Sequence, residues 1–218
     1  MEKPLYPSPY MRITQGYGMG THRDSYAIDD AGSDSGIDYI TAPFTGTIRK
    51  IYTTDANEVW LESSEPVEYP DGTVDYMTVL FAHDNDVSNL YVGKVVRRGE
   101  RFYEEGTKGN ASGNHCHIEC GRGRFEGSGW VQNSAGYWSI LNRKKPEECL
   151  WIDSSIHVLN NYGYNFRMIE ETPKEEEKPE VPKEEEDNKE EQKKLIFTCS
   201  KDDIYAIRLK KGQKLYLE

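Results

Sequence analysis

The chain has 218 residues, 36% of them hydrophobic and 30% charged, with a formal net charge of −11. That length holds one domain of ordinary size plus an appendage. No apolar run approaches the ~18–20 residues of a membrane helix, so insertion by a helical span is excluded. The acidic balance argues against nucleic acid, whose phosphates call for a basic patch.

Aromatics make up 11% of the chain, led by 15 Tyr, and there are 19 Gly. Both favour strands and turns over a helical bundle. The N-terminal stretch MEKPLYPSPYMRITQG lacks the apolar core of a secretory signal, so none is expected. A Gly-rich loop, QGYGMGT, leads to His22, and Tyr26-Ala27-Ile28 reads as entry into a strand ending on Asp29. Short strands are then predicted at Gly46–Ile51, Val59–Leu61, Tyr76–Ala82, Asn89–Val96 and His115–Glu119. Turn signals separate them: Ala42-Pro43, Pro70-Asp71-Gly72, Arg98-Gly99 and Ser112-Gly113-Asn114. Short strands at this spacing predict a mainly β, antiparallel domain over residues 1–169.

Residues 170–194 read as an acidic Pro/Glu/Lys linker. From Glu170 to Glu191 there are 12 acidic and 4 basic side chains, and almost nothing that could be buried. Pro173, Pro179 and Pro182 interrupt any helix, so the spacer is expected to be extended. Residues 195–218 follow as a short β element. Ile204–Leu209 and Lys214–Leu217 alternate apolar and polar about a Lys-Lys-Gly-Gln turn. So small a piece cannot bury enough surface to fold alone, which leaves a frayed tail, a cut-off domain, a self-association element or a wall anchor.

The four cysteines, Cys116, Cys120, Cys149 and Cys199, contain no CxxC pair and are expected as free thiols. The chemistry lies in the histidines. In Asn114-His115-Cys116-His117-Ile118-Glu119-Cys120, strand alternation puts His115, His117 and Glu119 on one face and Cys116, Ile118 and Cys120 in a core. Asp29 ends an apolar run, where a buried carboxylate needs a cation or metal, and His83 ends the strand YMTVLFA. His157 has no such companions. Two histidines and one carboxylate make a catalytic zinc set with a fourth position left for water. Two further histidines could then move protons and stabilise an oxyanion.

The order His…Asp…His…His-x-His resembles the lysostaphin/LytM-type zinc endopeptidases that cut peptidoglycan peptides. Flanking motifs agree: Ile40-Thr-Ala-Pro-Phe-Thr-Gly-Thr-Ile48, Val96-Arg-Arg-Gly99, and Gly106-Thr-Lys-Gly-Asn-Ala-Ser-Gly113-Asn-His115. The resemblance covers about residues 11–152. It implies Zn2+ on His22, Asp29 and His117, catalytic roles for His83 and His115, and an orienting role for Glu119. In the family's usual pattern the Asp follows four positions after the His. Here Asp29 lies seven after His22, a longer loop similar to a phage-associated branch, with Asp30 the alternative ligand. What is implied is an endopeptidase acting on the peptide of peptidoglycan, resembling a phage endolysin held in the host cytoplasm until release, or a virion-associated lysin. A non-catalytic wall-binding or hydrolase-activating member of the same fold is the other reading.

Overall fold

In the computed structural model, residues 1–132 and 136–170 are described. The linker beyond Glu170 and the β element at 195–218 lie outside them. Among the described residues there is no α-helix, only two 3-10 turns at Gly20–His22 and Pro146–Glu148. The fold is mainly β, as the turn and strand pattern predicts.

The principal sheet runs, edge to edge, through His157–Asn160, Tyr10–Gln15, Ile28–Asp30, Cys116–Arg122, Met77–Ala82, Glu58–Ser63, Gly46–Tyr52 and Val95–Val96. Arg143–Lys144 also pairs with Cys116–Arg122. Its neighbours are antiparallel except at one edge, where His157–Asn160 lies parallel to Tyr10–Gln15. Four of the five predicted strands appear within a residue or three of their expected ends. Asn89–Val96 is the exception: only Val95–Val96 pairs. Ahead of it the chain turns, with Leu90 N–H donating to Val87 O and Lys94 N–H to Tyr91 O, and Gly93 at φ +93°. That left-handed backbone belongs to a turn and ends any strand there.

The two faces of the sheet divide the work. Met11, Ile13, Ile28, Cys116, Ile118, Val79, Phe81, Val59, Leu61 and Ile48 are all fully buried in the main core. Such β-branched and aromatic side chains suit a half-buried pleat, and each stabilises by roughly 1.5–3 kcal/mol on burial. The opposite face carries a smaller apolar group, Trp60, Leu80 and Ile140. It also carries a polar row. The register sets Gln15 opposite Asp29, Asp29 opposite His117, and His117 opposite Ala82, the residue before His83. Strand pairing thus brings residues 15, 29, 83 and 117 to one place.

Cys116, Cys120 and Cys149 are buried free thiols, as expected. No helix among the described residues is long and apolar enough to cross a membrane.

Candidate metal centre

Asp29 and His117 face each other across paired strands, and His22 reaches them from the 3-10 turn of the Gly-rich loop. Asp29 Oδ1 is 3.2 Å from His22 Nε2 and 3.1 Å from His117 Nδ1. One ligand atom from each of the three lies within 4.8 Å of the others. A tetrahedral zinc with ~2.0–2.1 Å bonds has ligand-to-ligand edges of roughly 3.3–3.4 Å, close to the two distances at Asp29. The donor types, two imidazoles and one carboxylate, fit as well. Asp30, the alternative, points away: it is fully buried, and its Oδ1 accepts from Arg12 N–H.

The electrostatics describe a cluster waiting for a cation. Burial alone would push the Asp29 carboxyl up, but the His117 and His22 rings hold it well below the usual carboxylate range. Burial likewise disfavours charge on His117, yet Asp29 and Glu119 on either side lift it to about 10. In the metal-free protein a proton on His117 plays the part of the cation. The other ring nitrogen of His117, Nε2, is 3.1 Å from Glu119 Oε1. That contact leaves Nδ1 to face Asp29 and His22. Glu119 Oε2 meanwhile accepts from the Ile140 N–H at 2.9 Å.

His83 and His115 stand beside this cluster with ring centres 4.6 Å apart. His83 Nδ1 lies 2.7 Å from the Lys108 carbonyl, and His115 Nδ1 lies 2.8 Å from the Gly113 carbonyl. A carbonyl can only accept, so each Nδ1 carries a hydrogen and each ring turns its Nε2 away from that carbonyl. His115 Nε2 is 3.7 Å from Asp29 Oδ1. Burial pushes the His83 imidazole down to about 4, against the pull of the Lys108 carbonyl. His83 is therefore neutral at pH 7.

The backbone at His83 is strained. Its φ of +89° lies where a side chain with a Cβ seldom sits, a cost of ~1–3 kcal/mol. His83 N–H donates to Ala56 O at 2.7 Å, and its carbonyl accepts from Lys108 N–H at 3.0 Å. Gly106 makes room for this: a Cβ there would meet the His83 carbonyl oxygen at 2.2 Å. Gly106 also exchanges backbone hydrogen bonds with His115, at 3.1 and 3.2 Å. One glycine therefore supports both histidines, a role that sequence reading did not assign.

The centre opens into a cleft of about 390 Å³. Its walls include Gln15, Asp24, the Asn110–Ser112 loop, and Trp130, Tyr137 and Trp138 from a hairpin that the sequence reading passed over. A larger hollow lies elsewhere, and both of its arginines are engaged. Arg122 pairs with Asp75 at 3.2 Å and covers the Tyr69 ring, and Arg167 lies over Trp151. All the residues singled out as ligands or catalysts converge on the cleft. His157 does not, and stacks on Tyr10 instead.

No family model matches the chain. It is 29% identical over 174 residues to Morphogenesis protein 1 of Bacillus phage B103, covering 74% of this chain and 43% of that protein. The chain thus spans under half the length of that relative. Among solved structures it is similar to a zinc-containing peptidase from Vibrio cholerae, with a TM-score of 0.42, 19% identity, and 56% and 37% of the two chains covered. It is also similar to the catalytic domain of a prophage-encoded M23 protein from Enterococcus faecalis, with a TM-score of 0.41, 20% identity, and 56% and 88% covered. The lysostaphin catalytic domain from Staphylococcus simulans gives a TM-score of 0.37, 18% identity, and 66% and 89% covered.

Proposed function

We propose that the protein is a zinc-dependent endopeptidase that hydrolyses peptide bonds in bacterial peptidoglycan. The observation that carries this reading is the convergence of His22, Asp29 and His117 on one point, flanked by two histidines each anchored through Nδ1 on a backbone carbonyl. His22 Nε2, Asp29 Oδ1 and His117 Nδ1 would hold Zn2+. When bound, the ion lowers the pKa of its water and polarises the scissile carbonyl.

The chain's own residues supply the rest. Glu119 accepts at the far nitrogen of His117, which leaves Nδ1 on the side where the ion would be held. His115 Nε2, nearer to Asp29, is placed to accept a proton from the attacking water. His83, neutral and fixed on the Lys108 carbonyl, is placed to act on the developing oxyanion or to return a proton to the leaving amine. Among the described residues lining the cleft there is no Lys or Arg. A terminal carboxylate has no Lys or Arg in that lining to recognise it, which favours cleavage within a peptide over removal of its last residue.

The phage relative bears on the setting. We infer a phage lysin, and the relative's name as a morphogenesis protein favours a virion-associated wall-penetrating role beside the endolysin role. The test is mass spectrometry of fragments released from defined peptidoglycans, run beside zinc stoichiometry. About one zinc per chain, with new peptide termini that vanish on chelation, is expected. Full lysis by metal-free protein overturns the reading. Immunodetection in purified virions, against its absence there, separates the two settings.

A further inference from the structure

The hairpin beside the metal cluster is built in two halves with different characters. At its foot Ile140 is buried, and Trp130 packs edge-on against the buried Trp60 ring, centroids 4.9 Å apart. Ile140 N–H donates to Glu119 Oε2, and Leu141 N–H donates to Gly129 O. The foot is therefore fixed to the sheet that carries the metal ligands. Trp138, paired with Gln132 across the hairpin, is instead 57% exposed while still lining the cleft, and Tyr137 beside it is 53% exposed.

An exposed indole on a strand whose other end, Ile140, is anchored to the sheet offers a flat apolar face at low entropic cost. The same cleft is lined by amide and hydroxyl groups: Asn110, Ser112, and Gln15, whose Nε2 donates to Thr21 Oγ1. The charged groups in the lining are acidic or belong to the histidine cluster, and none is Lys or Arg. An anionic ligand is disfavoured there. A ring with apolar C–H faces, many hydroxyls, an amide substituent and no charge is favoured. N-acetylated hexosamines have that chemistry. In a peptidoglycan glycan strand the lactyl carboxyl is consumed in the amide to the stem peptide, so the sugar next to the scissile peptide is neutral.

We propose that Trp138 is the floor of a saccharide subsite continuous with the metal cleft, so that the substrate is a stem peptide still attached to its glycan. The subsite rests on the peptidase reading for its location, but sugar binding does not need the metal or any cleavage.

Two measurements test it. The first titrates the full chain, with and without zinc, with the soluble tetramer of N-acetylglucosamine, followed by tryptophan fluorescence. Saturable quenching is expected in wild type and absent in Trp138→Ala. The second compares turnover on a disaccharide-bearing cross-linked peptide and on the same peptide stripped of sugar. Trp138→Ala is expected to raise KM about tenfold on the sugar-bearing substrate alone, with kcat and zinc content unchanged, and Trp138→Phe to restore part of the loss. Absence of tetramer binding, or an equal KM change on both substrates, overturns the subsite. Trp138-dependent tetramer binding by a protein that cleaves neither substrate supports the subsite and refutes the peptidase.

Discussion

Glu119→Gln keeps the shape of the side chain and removes one acceptor. The carboxylate now serves two N–H donors at once, with Oε1 3.1 Å from His117 Nε2 and Oε2 2.9 Å from the Ile140 nitrogen. Glutamine has one oxygen and one amide nitrogen. If its oxygen keeps the Ile140 N–H, its NH2 faces His117 Nε2 and requires that nitrogen to be bare. The ring hydrogen then moves to Nδ1, the atom that faces Asp29 and would bind the metal. If the oxygen serves His117, the NH2 opposes the Ile140 N–H and leaves a buried donor unpaired, at about 1–3 kcal/mol. Glu119 is 4% exposed, so water cannot relieve either arrangement. Loss of a ligand's orienting partner typically weakens metal binding ~10–100-fold, or about 1.4–2.7 kcal/mol. We expect zinc affinity to fall by that factor, measured by competition with a chromophoric chelator, with far-ultraviolet circular dichroism unchanged. Wild-type affinity in a folded Glu119→Gln protein would refute the orienting role.

The remaining predictions divide ligands from catalysts and concern pH. Asp29→Ala and His117→Ala should each lose zinc together with turnover, whereas His83→Ala should keep about one zinc and lose ~10²–10⁴ in rate. Metal analysis beside turnover checks it, and zinc loss from His83→Ala with retention by Asp29→Ala would redraw the ligand set. Gly106→Ala should keep zinc but lose on the order of 10² in kcat, since its Cβ would meet the His83 carbonyl at 2.2 Å and shift both histidines. Activity within twofold of wild type would contradict that. In the metal-free protein the His117 proton, with pKa raised to about 10, must leave before Nδ1 can bind metal. Apparent zinc affinity should therefore climb by up to about tenfold per pH unit through the neutral range and level off near pH 10. The sign for metal-free stability is opposite. A raised pKa contributes stability fully below the unfolded value near ~6.5, and that contribution is lost as pH rises through about 10. Isothermal titration and thermal melts across pH read the two slopes.

Much of the centre was legible because strand alternation is a strict rule. Once His115-Cys116-His117-Ile118-Glu119 is read as a strand, His117 and Glu119 must share a face and Cys116 and Ile118 must be core, and both cysteine and isoleucine are fully buried. The apolar run before Asp29 marked that carboxylate, but its meeting with His22 and His117 was legible only through the resemblance, because it depends on a 3-10 turn and on pairing of Ile28–Asp30 with Cys116–Arg122, a contact across nearly ninety residues. The Asn89–Val96 strand failed because its apolar residues outweighed Gly93, whose left-handed φ decides the local path.

The hairpin at Trp130–Gln132 and Trp138–Ile140 was missed for a related reason. Its strands are three residues each, too short to show alternation, and its apolar foot is completed by Trp60 and Leu80 from far upstream. The consequence for function is direct. Glu119 holds His117 with one oxygen and the foot of this hairpin with the other, so the metal ligand and the wall of the cleft are set by a single carboxylate. A change at the hairpin foot that pulls the Ile140 N–H away would free Glu119 to rotate, and the metal would feel it through His117. Substrate contact and metal geometry are therefore coupled through one buried side chain, and neither the spacing of the histidines nor the Trp residues alone could disclose that link.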